Sequence, residues 1–171
     1  FGDAVYSMEE KETLEASIIK LLAENKKTLS AAESCTGGMI SSLITSVPGS
    51  SEYFLGSVTS YANGVKENVL GVPAEIIAEH GAVSSECVAA MAEGVRRITS
   101  SDYSVATSGI AGPGGGSEEK PVGTVWIGVS SDNGTETFRL KFNSDRKRNI
   151  ERFSSSALHI LLNKIKKELN N

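Results

Sequence analysis

Residues 32–39 read AESCTGGM and bring two nucleophile types, Ser34 and Cys35, a third hydroxyl at Thr36, and paired glycines at Gly37 and Gly38 into one short stretch. A serine hydroxyl is barely ionised at neutral pH and needs a base, whereas a thiol is activated by a helix N-terminus or a cationic neighbour. The usual base is histidine, and the chain has 2. His80 stands just before Gly81 at an expected helix end, and His159 falls in the apolar stripe of the closing helix, so neither is well placed to serve. That disfavours a Ser-His-Asp triad and a Cys-His pair alike. Two distant histidines and two distant cysteines, Cys35 and Cys87, also lack the spacing of a zinc site. No metal and no cofactor is expected.

What remains as a base is a lysine. Lys66 follows Tyr61 closely in SYANGVK. If a strand ends near Tyr61 and a helix begins near Gly64, both side chains can point into one strand-end crevice. A lysine serves as base only where burial or charge lowers its pKa, and a tyrosine beside it can relay or supply a proton. Ser34, Tyr61 and Lys66 would then form a histidine-free hydrolytic set. A purely structural account is also open: Tyr61 as core packing, Lys66 as a solvated helix residue, Ser34 as an N-cap. Cys35 stays open as the alternative nucleophile.

SCTGG is expected to open a helix, whose first amides are unsatisfied and welcome an anion. The chain has no Gly-Lys-Ser/Thr ending of a phosphate-binding P-loop, and the glycines after Ile110 do not open a helix as a dinucleotide fingerprint would. GPGGGSEEKPVG, residues 112–123, is a loop rich in glycine and proline that calls for a functional reason.

The elements that must position these residues alternate in type. Ser7 and Glu10 have capping-box spacing before Leu14, Ile18, Leu21 and Leu22 at helical intervals. A short buried strand at 28–32 leads into the SCTGG turn and a helix over 39–47, stopped by Val47-Pro48-Gly49. A strand over 54–62 runs to Asn63-Gly64, two short helices follow up to Gly81, and a longer helix, capped by Ser84 or Ser85, carries Val88, Met91, Val95 and Ile98. A strand over 103–111, a hairpin turning at Asp132-Asn133-Gly134 and a closing helix from Asp145 complete the chain. Asn133 formally matches a glycosylation acceptor but is better read as that turn.

Five strands and about five helices make an α/β fold: a three-layer α/β/α sandwich on a mixed, mostly parallel five-stranded sheet. Sites in such sheets gather beyond the carboxyl ends of strands, so Ser34, Tyr61 and Gly109 are expected to converge.

With 171 residues the chain suits one core, taken as residues 8–171, after a short linker at 1–7. Its net charge of −4 argues against a nucleic-acid surface built on bulk charge, and the basic run from Lys141 to Lys167 reads as a solvated helix face. No apolar run reaches the roughly 18–20 residues of a membrane helix, and no signal-peptide pattern opens the chain, so a cytoplasmic location is expected.

AESCTGG at 32–38, SYANGVKENVLGV at 60–72, TSGIAGPGGGSEEKPVGTVWIGV at 107–129 and the Asp145-Arg146 pair together resemble the C-terminal domain of CinA, the competence/damage-inducible family. The resemblance implies a nicotinamide-nucleotide amidohydrolase, which converts nicotinamide mononucleotide and water to nicotinate mononucleotide and ammonia in pyridine-nucleotide salvage. It also implies an α/β/α sandwich and a catalytic serine, tyrosine and lysine at Ser34, Tyr61 and Lys66.

Substrate-binding positions are expected at Cys35, Thr36, Gly37, Gly38 and Asn63, and at Thr107, Ser108, Gly109, Gly112 and Gly114. Arg146 or Arg152 would neutralise the phosphate, with Arg148 a weaker match, and the amides of Thr36 and Gly37 would stabilise an oxyanion. Ser144 stands where the family usually has glycine. The family also implies a homodimer and, in many members, a preceding domain resembling molybdopterin-binding proteins. Two other readings stay open: a non-catalytic nucleotide sensor or protein-interaction module, and an amidohydrolase of another small amide.

Overall fold

β1 (Leu29–Glu33) is buried at every position, as a strand covered by helices on both faces must be. Its side chains alternate between two cores. Ala31 joins Ile18, Ile40, Phe153 and Leu158 on one face, and Ala32 joins Leu70, Met91 and Val95 on the other. Val105 and Ala106 of β3 (Tyr103–Gly109) repeat the division. The structure is a computed structural model that describes residues 12–170.

The sheet order is β2-β1-β3-β4-β5, with β2 at Phe54–Thr59, β4 at Thr124–Ser131 and β5 at Gly134–Lys141. β1 pairs parallel with both β2 and β3, and the β3–β4 and β4–β5 pairs are antiparallel. Four strands therefore share one direction and β4 alone opposes them, in agreement with the mixed, mostly parallel sheet. The hairpin closes with Ser131 opposite Gly134, so Asn133 does sit in its turn.

Six helices are described, with a 3-10 turn at Ser50–Glu52. α1 (Leu14–Asn25), α2 (Met39–Thr45) and α6 (Arg146–Leu169) cover one face of the sheet, while α5 (Ser85–Thr99) covers the other with α3 (Asn63–Asn68) and α4 (Ala74–His80) beside it. Thr13 caps α1, its Oγ1 accepting the Ala16 N–H, and Ser84 rather than Ser85 caps α5. The Ser7–Glu10 capping box and the linker at 1–7 lie outside the described residues. β2 stops at Thr59, short of the expected Ala62, because the chain turns there and presents the carbonyls of Ser60 and Tyr61 to a side chain instead of a strand.

β1 has its sequence successor β2 on one side and β3 on the other. The space beyond the carboxyl ends of β1 and β3 is thus a topological switch point, where crossing connections diverge and leave a crevice.

Candidate active site

Ser34 is the first residue beyond β1, and its N–H still donates to the Thr107 carbonyl of β3 at 3.0 Å. The sheet therefore fixes its backbone while its side chain faces the crevice. Lys66 sits in α3 and is 1% exposed, among the largest fully buried side chains of the described residues. Its Nζ lies 3.1 Å from Ser34 Oγ and donates to the Ser60 carbonyl at 2.7 Å and the Tyr61 carbonyl at 3.3 Å. Burial holds the Lys66 pKa below the ordinary lysine value, because an ammonium loses hydration there. The solvated-helix account of Lys66 is thereby set aside.

The turn after Ser34 owes its glycines to backbone conformation. Gly37 and Gly38 have φ of +61° and +103°, in the left-handed region that other residues resist, while a Cβ at Gly37 would meet nothing within 4 Å. Gly109 is different: a Cβ there would come within 2.6 Å of the Thr124 carbonyl oxygen, so its constraint is the neighbouring strand.

The helix N-terminus is also not free for an anion. Glu33, fully buried at the end of β1, accepts the N–H groups of Gly38, Ile40 and Ser41 and so occupies the start of α2. Sequence reasoning missed this residue. Its signal was a carboxylate followed within eight positions by glycines and hydroxyls, inside a stretch otherwise reading as a buried strand.

A cavity of about 210 Å³ opens above Ser34 and Lys66. Cys35, Tyr61 and Asn63 line it from the first half of the chain, and Ser108, Gly109 and Arg146 from the second. Ala82, Val83 and Ala111 complete the wall, and apolar side chains in a loop give no signal of such a role. Ser108 Oγ ties that wall together by donating to the Ala82 carbonyl at 2.6 Å.

Tyr61 is 63% exposed, and its hydroxyl accepts from Arg146 Nη2 at 3.0 Å. The phenol thus turns away from Lys66, which Tyr61 reaches through its carbonyl. Arg146 also donates to the Gly112 carbonyl at 2.7 Å, bridging the β2–α3 loop and the glycine-rich loop at the cavity mouth.

Three comparisons bear on what kind of protein carries this site. A family model described as the CinA C-terminal domain matches residues 11–165. The chain belongs to the CinA C-terminal domain family. A CinA-like protein of Pseudothermotoga lettingae is 51% identical over 150 residues, 88% of this chain and 37% of that protein. A CinA-like protein of Thermotoga neapolitana is 46% identical over 165 residues, 96% of this chain and 40% of its own length. The crystal structure of the competence/damage inducible protein CihA from Agrobacterium tumefaciens superposes with a TM-score of 0.86 at 36% identity, covering 89% of this chain and 94% of that one. The chain spans about two fifths of the length of these CinA-like relatives.

In this CinA C-terminal domain the remaining candidates sort by position. Cys35 is 6% exposed, and burial pushes its thiol up to about 12, so it lines the cavity as a neutral group. The Thr36 hydroxyl lies behind the wall, donating to Glu33 at 2.7 Å and meeting Thr107 Oγ1 at 2.8 Å, so neither of these side chains lines the cavity. Gly114 is likewise outside it. Arg152 packs over the Phe142 ring at 5.8 Å, away from the crevice, which leaves Arg146 as the arginine of the site. Among the described residues no group of three or more His, Cys, Asp or Glu could hold a metal ion, and no helix is long and apolar enough to cross a membrane.

Proposed function

We propose that this domain hydrolyses the carboxamide of nicotinamide mononucleotide to nicotinate mononucleotide and ammonia. The observation that carries the proposal is the 3.1 Å approach of Lys66 Nζ to Ser34 Oγ in a buried site, with an arginine at the mouth of the same cavity. Such a substrate needs an amide carbon attacked and a phosphate held.

A neutral lysine has two N–H bonds and one lone pair. The Ser60 and Tyr61 carbonyls take the two N–H bonds, which directs the lone pair at the Ser34 hydroxyl. Lys66 then removes that proton as Ser34 attacks the carboxamide carbon, forming a C–O bond and a tetrahedral oxyanion. Collapse breaks the C–N bond, the proton passes from Lys66 to the leaving nitrogen, and ammonia departs. Water, activated by the same lysine, hydrolyses the acyl-serine and restores both groups. Tyr61 assists through its carbonyl, which orients Lys66.

For the oxyanion, the Gly37 N–H is already given to the Ser34 carbonyl at 3.2 Å, while the Thr36 N–H has no acceptor among the described residues. We therefore assign the donor to Thr36. One such donor contributes on the order of 3–4 kcal/mol in comparable reactions. Because Glu33 occupies the start of α2, the phosphate falls to Arg146.

The test is ammonia release from nicotinamide mononucleotide by purified protein. Ser34→Ala is expected to abolish it, and a chelator to leave it unchanged. Near-normal release by Ser34→Ala would overturn the serine mechanism in favour of Cys35 or direct attack by water. Binding without turnover in the wild type would favour a nucleotide sensor.

A further inference from the structure

We propose that Glu33 is a positioning residue for Ser34, a role that rests on the serine mechanism above. Its two carboxylate oxygens are fully buried and gather five donors. Oε2 accepts from Thr36 Oγ1 at 2.7 Å and from the Gly38 and Ile40 N–H groups, each at 3.0 Å. Oε1 accepts from the Ser41 N–H at 2.8 Å and from the Ser41 hydroxyl. Five donors on two oxygens engage the carboxylate on both sides.

These bonds span the turn that carries Ser34. Thr36 spends its one hydroxyl proton on Glu33, so it accepts from Thr107 Oγ1, which ties the turn to β3. The backbone of Glu33 holds the other partner, because its carbonyl accepts the Ser60 N–H at 2.8 Å and the Ser60 carbonyl in turn accepts from Lys66. One residue thereby sets the frames of both the nucleophile and its base. Substituting glutamine aims an NH2 group at backbone N–H donors and forces the turn to shift, and a shift of 1 Å at a reacting atom costs about 100-fold in rate.

The experiment compares wild type, Ser34→Ala, Glu33→Gln and Ser41→Ala by two readouts, with thermal melts confirming that each is folded at the assay temperature. The first readout is labelling of Ser34 by a fluorophosphonate, in which an Oγ–P bond forms and fluoride leaves. The second is kcat and KM for ammonia release. Glu33→Gln is expected to label on the order of 100-fold more slowly and to lose kcat in proportion, with KM within about threefold. Ser41→Ala, which removes one donor only, is expected to lie between it and wild type. If Glu33→Gln does not fold, Ser41→Ala carries the test: wild-type labelling and kcat in that variant overturn the proposal, as they do in a folded Glu33→Gln. A wild type that releases ammonia but resists the probe as Ser34→Ala does refutes the serine mechanism itself and takes the positioning role with it.

Discussion

Replacing Lys66 with methionine removes the amine and keeps nearly the same buried volume, so it separates chemistry from packing. A lysine at its ordinary pKa of 10.5 is neutral in about one molecule in 3,000 at pH 7, and each unit of depression raises that fraction tenfold. Burial supplies the depression here. The rate should therefore climb with pH along a limb of unit slope that levels off below pH 10.5, followed as kcat/KM for ammonia release from about pH 5.5 to about pH 10.

Lys66→Met should lose about 10²–10⁴ in rate and the limb with it. Its melting temperature should move little. The orphaned Ser60 and Tyr61 carbonyls each cost about 1–3 kcal/mol, and relief from burying an amine opposes them. Stability carries a matching sign: the folded state binds fewer protons than the unfolded state between the depressed pKa and 10.5, so Lys66 costs most below that window and its cost fades as pH rises through it. Unfolding followed against pH should show this gain in wild type and not in the variant. A Lys66→Met enzyme with an unaltered rate and pH profile refutes the lysine base.

Cys35→Ala should keep kcat within about threefold, and iodoacetamide near pH 8 should leave the wild type active, because a thiol with a pKa of about 12 is not ionised there. Tyr61→Phe should raise KM more than it lowers kcat, since the phenol touches Arg146 and not Lys66; a collapse of kcat alone would restore the proton-relay role. Arg146→Ala should raise KM for nicotinamide mononucleotide by roughly 10-fold or more while scarcely changing any turnover of the riboside, which lacks the phosphate. Gly109→Ala should destabilise the domain by about 1–3 kcal/mol in thermal unfolding, because its Cβ meets the backbone of Thr124 and Val125.

The strands were legible because their pattern is local. The turn residues Asp132-Asn133-Gly134 marked the β4–β5 hairpin, and the order of strands and helices implied the layers. The meeting of Ser34 with Lys66 was legible one step further, as a consequence of where β1 and β2 end. Three things were not. Arg152 was expected from the family resemblance, but six residues along an α-helix is about 240° of rotation from Arg146, and its guanidinium lies over Phe142 instead. The direction of the Tyr61 ring depends on a partner 85 residues away. Glu33 reads as an acid at the end of an apolar strand, and only the fold shows that its donors come from the next helix.

The arginine at the cavity mouth opens α6, the last described element, and that helix is held by the face that α1 and α2 also cover. The nucleophile and its base come from one continuous stretch ending at Lys66, and the wall and the anion-facing charge come from segments made later. The reactive pair is framed only once β3 gives Ser34 its Thr107 carbonyl, and the charge for a phosphorylated substrate only once α6 has docked. Ammonia release would then report completion of the whole domain, because a fragment ending before Asp145 loses both Arg146 and the side of the core that α6 supplies.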